Sequence, residues 1–142
     1  MAIRYKIFED LKFVYAVGTG ALTLDDLLSH TEELANDPKY VAPMLKLIDY
    51  RNLQENKTTF ADSERFAAAK SSFADRFSGE KFAVVVPTDN SFGMARHNSA
   101  HLKPGCFEHG VFREIKEALD WLGLEIDENE LAIDESDPGS PS

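Results

Sequence analysis

The stretch Phe82-Ala83-Val84-Val85-Val86, stopped by Pro87, contains no polar side chain to turn toward water. Successive residues of a strand point to opposite faces of a sheet, so an unbroken apolar run is expected where both faces are covered. Pro87 ends the run, because it has no N–H to donate to a ladder. Thr88 or Asp89 then stands where a helix N-cap is needed, and the spacing predicts a helix from there to about Leu102.

Working outward from that strand, the chain repeats the same alternation of elements. Ile3, Tyr5 and Ile7 alternate with Arg4 and Lys6, and Phe13, Tyr15 and Val17 follow with the same period after Glu9-Asp10. The pair reads as an antiparallel hairpin. Gly18-Thr19-Gly20 closes it. Thr23 with Asp26 resembles a capping box, and Leu24, Leu27, Leu28 and Leu34 give about three helical turns before Asp37-Pro38. Met44–Ile48 is a strand ending at Asp49-Tyr50-Arg51, and Asn52–Thr58 reads as a polar loop. Thr59 with Asp62 starts a second helix, whose apolar face is Phe66, Ala69, Phe73 and Phe77 with Lys70 at its edge. Cys106-Phe107-Glu108 reads as a short edge strand. Val111, Phe112, Ile115, Leu119 and Leu122 mark a final amphipathic helix closed by Gly123. The order predicts an α/β fold: a four- to five-stranded mixed sheet with an opening antiparallel hairpin and about four helices.

Composition narrows the class. The chain has 142 residues, 43% of them hydrophobic and 11% aromatic, enough for one domain with its own core. Of its 25 acidic residues, seven lie in Leu124–Ser142, which has no Lys or Arg, so that segment carries most of the formal charge of −10. Residues 1–123 thus read as the domain and 124–142 as an acidic, mobile tail, with Leu124, Ile126, Leu131 and Ile133 able to pack back. An acidic chain argues against sequence-independent binding to nucleic acid. There is no transmembrane run and no signal-peptide core, which points to the cytoplasm. One cysteine excludes an internal disulfide.

Three constellations carry possible chemistry. Ligands in such sheets lie beyond the carboxyl ends of the parallel strands, which selects Asp49–Arg51 and Thr88–Arg96. Arg51 and Arg96, with Asp49 as orienter and Thr88-Asp89 at a helix start, form an anion-binding set; the structural alternative is an ion pair stapling a loop. His97 and His101 share a helix face, with Cys106 and His109 close behind, but the spacing matches no metalloprotease motif. Freely titrating surface histidines and a small core cysteine are the plainer reading. Thr58 and Thr59 are possible phospho-acceptors, or simple helix caps. No catalytic residue and no cofactor motif is identified.

Several short runs, in order, resemble bacterial SpoIIAA-like proteins of the STAS/SEC14-like superfamily. They are Gly20-Ala-Leu-Thr23, Asp37-Pro38-Lys-Tyr40, Ile48-Asp49-Tyr-Arg51, Phe92-Gly93-Met-Ala-Arg96, Val111-Phe112-Arg113 and Ala118-Leu119-Asp-Trp121-Leu122-Gly123. The resemblance spans about Ile3–Gly123. It implies a STAS-like sandwich with helices mainly on one face, and a homodimer. Sporulation regulators of the wider group carry a phosphorylated Ser in an Asp-Ser-Ser-Gly-like segment; Asn56–Asp62 lacks it. SEC14-like relatives bind lipids in an apolar cavity, which here implies a small pocket among Phe60, Phe66, Phe73, Phe77 and Phe92. The expectation is a non-enzymatic binding module for a protein partner or a small anionic or amphipathic ligand. The alternatives are a metal-dependent enzyme using His97 and His101, and a phospho-regulated partner switch.

Overall fold

The computed structural model describes residues 2–88, 107–133 and 137. The opening hairpin forms as its alternation requires: β1 (Ile3–Phe8) runs antiparallel to β2 (Phe13–Gly18), with Ile3 opposite Gly18 and Phe8 opposite Phe13. A single 3-10 turn, Glu9–Leu11, joins them, and Lys12 leaves it at φ 49°. Three parallel strands extend the sheet on the β2 side: β4 (Leu45–Asp49), β6 (Glu80–Val85) and β7 (Phe107–Phe112). The five-stranded order is β1-β2-β4-β6-β7.

Alternation along the central strands divides the core in two. Val14, Ala16, Ile48, Phe82 and Val84 face α1 (Leu24–Ala35) and the segment ending in Phe77. Phe13, Tyr15, Leu47, Ala83 and Val85 face the last helix, α3 (Ile115–Leu122). The run 82–86, of which 82–85 lie in β6 and Val86 just beyond it, is thus buried on both sides, as its composition demands. Helices therefore cover both faces, two on one and α3 on the other, where the resemblance implied mainly one. Among the described residues there are three α-helices, and none is long and apolar enough to cross a membrane. The helix expected from Thr88 to about Leu102 lies outside the described residues.

Both capping boxes are present. Thr23 accepts from the backbone N–H of Asp26 and Thr59 from that of Asp62, while each aspartate answers the threonine's own N–H, fixing the starts of α1 and of α2 (Phe60–Ser72). Gly123 closes α3 in the left-handed conformation, φ 77°, as expected for its position.

Three readings need correction. The polar loop after Arg51 contains a strand, β5 (Leu53–Asn56), paired in parallel with β3 (Gly20–Leu22) as a small second sheet. Both strands are too short to show a period of two, and β5 is mostly polar. Val111 and Phe112 belong to β7, which outcompetes the helical spacing because Val84 and Val85 offer them ladder partners. Lys70 is not at the edge of its helix: it is 2% exposed, facing the sheet. In addition, Leu124, Ile126, Leu131 and Ile133 pack against the α3 side of the core, so the acidic segment is anchored through residue 133.

Leu119 is fully enclosed in that second core cluster. Leu119→Ala should cost about 2–5 kcal/mol through lost burial and the cavity left behind. Urea denaturation checks this, and a change under about 1 kcal/mol would mean that α3 is not part of the cooperative core.

Candidate functional site

The site is built on the α1–α2 face of the central strand. Leu45 and Leu47 of β4 point to the α3 side, so Lys46 and Ile48 must point the other way. The pairing of β4 fixes Lys46 beside Val14 and Phe82, both buried, and leaves it 4% exposed. Four further titratable groups meet it there. Helix α1 turns a stripe of Leu27, His30, Thr31 and Leu34 inward. Helix α2 supplies Lys70, and the first residue of β6 is Glu80, 1% exposed. His109 comes from β7, tilted against Phe82 at 5.1 Å between ring centroids.

The charges are paired unequally. Lys70 and Glu80 form a buried ion pair, and Tyr40 donates its hydroxyl to the other carboxylate oxygen at 3.3 Å. Lys46 Nζ lies 2.6 Å from His30 Nε2, its only hydrogen-bond partner among the described residues. Both ammonium groups sit over the Phe82 ring, at 4.8 Å for Lys46 and 4.4 Å for Lys70. Burial pushes Lys46 down, Lys70 pushes it further and Glu80 opposes, leaving it at about 7. His30 is held well below its usual value by burial and by both lysines. Burial and Lys70 bring His109 to about 4. Burial raises Glu80, but Lys70 and Lys46 outweigh it and hold the carboxyl below its usual range. With both imidazoles neutral, Glu80 is the buried carboxylate among the described residues that acts on both lysines.

His30, Lys46, Lys70 and His109 line a cavity of about 300 Å³, with Gln54 and Glu55 of β5 also on its wall and the rest largely apolar: Leu22, Leu27, Ile48, Leu53, Phe66, Phe82 and Val84. Its rim is formed by Asn56, Thr58, Pro87 and Thr88, at the carboxyl ends of the parallel strands. His30 Nδ1 lines up no hydrogen-bond partner among the described residues. A second, wider hollow of about 620 Å³ lies beside Asp49 and Arg51. There Arg51 donates to both oxygens of Asp49 at 3.0 Å and to Glu128 at 2.8 Å. That cation is already neutralised twice, whereas Lys46 is not.

The residues singled out in the sequence fall in different places. Asp49 and Arg51 come together as a bidentate pair and tie the acidic segment to the sheet through Glu128. They line the second hollow, not the cavity. Thr88 and Thr58 are at the cavity rim, and His109 is inside it. Thr59 caps α2, and Thr58 donates to Asn56 at 2.6 Å. Asp89, Arg96, His97, His101 and Cys106 lie outside the described residues. Among the described residues, no group of three His, Cys, Asp or Glu could hold a metal ion. Of the pocket phenylalanines, Phe66 and Phe77 line the cavity, while Phe60 is 58% exposed at the start of α2. Phe92 is outside the described residues.

His30, Lys46 and Glu80 escaped the sequence reading. A signal for two of them was present: Lys46 interrupts an apolar strand, and His30 takes a position on the inward stripe of α1. Such interruptions of an apolar face are where charge is placed for chemistry.

No protein-family model matches the chain, and no curated protein is significantly similar to it. Among solved structures it is similar to a protein of the DUF3478 family from Shewanella loihica PV-4, described as having a SpoIIAA-like fold. The two share 21% identity at a TM-score of 0.58, over 85% of this chain and 94% of that one. The chain has a SpoIIAA-like fold.

The unequal pairing makes opposite substitutions diverge. Glu80→Gln removes the carboxylate of the buried ion pair with Lys70 and should cost about 3–5 kcal/mol. Lys46→Met removes the excess cation and should be neutral or stabilising. Equal losses in urea denaturation would refute the imbalance.

Proposed function

We propose that this chain is a non-enzymatic binding module that takes a small amphipathic monoanion into the cavity. The observation that carries the reading is the excess cation: Lys46 has an imidazole for a partner where Lys70 has a carboxylate. Leaving a charge buried and unpaired costs several kcal/mol, and an incoming carboxylate would remove that cost. The apolar walls suit an alkyl chain, and the volume is at the small end for ligand cavities, where pockets run from about 300 Å³ upward. At roughly 30 Å³ per water-sized volume the cavity holds about ten, which is the scale of octanoate. In this reading Lys46 anchors the head group, Lys70 and Glu80 fix the local field, and the walls give affinity without specific contacts.

Binding of octanoate, followed by calorimetry, should fall roughly ten- to hundredfold in Lys46→Met, the worth of about 1.5–3 kcal/mol for a charge-assisted hydrogen bond. It should also be pH-dependent. Octanoate is ionised across the neutral range, and His30 and His109 are already neutral there. Lys46 is the cavity group that loses its proton at about 7, so affinity should hold below that value and fall above it by up to about tenfold per pH unit. Binding that is indifferent to both Lys46→Met and pH would rule out this anchor.

A further inference from the structure

The same amine has a second chemical capacity, which shares with the reading above the cavity but not the ligand. A lysine acts as a nucleophile only as the free base, and burial in an apolar pocket beside another cation is the usual way that form is obtained near neutral pH. Lys46 meets both conditions. It is enclosed on the central strand, Lys70 shares the Phe82 ring with it, and no carboxylate among the described residues is hydrogen-bonded to it. Lys46 lines the cavity of about 300 Å³, which gives a small reacting carbonyl room beside it. We propose that Lys46 captures a small alkyl aldehyde in this cavity as an imine.

The step balances within the protein and the aldehyde. The Nζ lone pair forms the C–N bond while the carbonyl π pair moves to oxygen. Both amine protons end on that oxygen, which leaves as water as the nitrogen lone pair closes the C=N bond. His30 Nε2, 2.6 Å away, is placed to take the proton that Nζ must shed and to return it to the departing oxygen. The same ring nitrogen takes and returns the proton, so Nδ1, which has no partner among the described residues, keeps its own throughout. The groups that face Nζ are His30 from α1, Lys70 from α2, Glu80 from β6 and His109 from β7. Of these only Glu80 favours the ammonium form, and it is engaged by Lys70 and Tyr40. The lowering of Lys46 to about 7 agrees, leaving about half of it as free amine at neutral pH.

The test uses the full chain with hexanal and cyanoborohydride at neutral pH, read by intact mass and peptide mapping. Trapping raises the mass by that of the aldehyde less one oxygen atom. The expected result is one dominant adduct on Lys46, formed at least about tenfold faster than on any exposed lysine, whose amines are almost wholly protonated at that pH. It should be absent in Lys46→Met and slowed in His30→Gln. Label spread over the α-amine and surface lysines, with none enriched at Lys46, overturns the proposal. The map of the wild-type chain decides this even where a variant does not fold. Octanoate calorimetry on the same preparation separates the two readings. Octanoate binding without a Lys46 adduct overturns imine formation alone, and an adduct without octanoate binding overturns the anion reading alone.

Discussion

The buried pair of Lys70 and Glu80 is the constraint around which the α1–α2 face is arranged. Neither group could be there alone, since an isolated ion in the interior costs far more than a small domain's stability can absorb. Together they bring the end of α2 against the start of β6, and Tyr40 closes the second carboxylate oxygen. Lys46 stands in the same enclosure without such a counter-charge. Its position is not negotiable, because a one-residue slip of β4 would turn Leu45 and Leu47 out of the other core cluster. The sheet register therefore places a cation where the packing provides only an imidazole and an aromatic ring.

That asymmetry separates the two hollows of the molecule. Beside Arg51 the charges are complete, and the pair with Glu128 uses them to hold the first part of the acidic segment against the sheet. Exposed pairs of this kind contribute little to stability, about 0–1 kcal/mol, and the apolar contacts of Leu124, Ile126, Leu131 and Ile133 do more to anchor the segment. In the cavity Lys46 has no carboxylate hydrogen-bonded to it among the described residues and the walls are largely apolar, which is the combination that favours a ligand or a reactive amine.

Most of the fold was legible in the sequence because its strong elements carry strong periods. The hairpin, the double-faced strand 82–86 and both threonine caps follow from local rules and are found where those rules place them. β5 was hidden because one leucine followed by three polar residues in a two-stranded sheet carries no alternation. The end of β7 was hidden because Val111 and Phe112 fit a helix and a strand equally well, and only the neighbouring strand decides. The site was harder to see. Arg51 and Asp49 drew attention as a recognisable pair in sequence, yet they form a staple with Glu128 at the surface. Lys46, His30 and Glu80 are far apart in the chain, and only packing brings them together. The warning sign was a lysine on an apolar strand face, which propensity treats as a blemish and the structure uses as the floor of a cavity.

The most direct measurement is the titration of Lys46 itself, followed through the Cε resonance of lysine-labelled protein and assigned with Lys46→Met. An uncompensated, buried cation predicts a midpoint near 7. A midpoint at the ordinary lysine value of 10.5 would mean that Lys46 is solvated or paired, and would contradict the charge imbalance on which the cavity's chemistry rests.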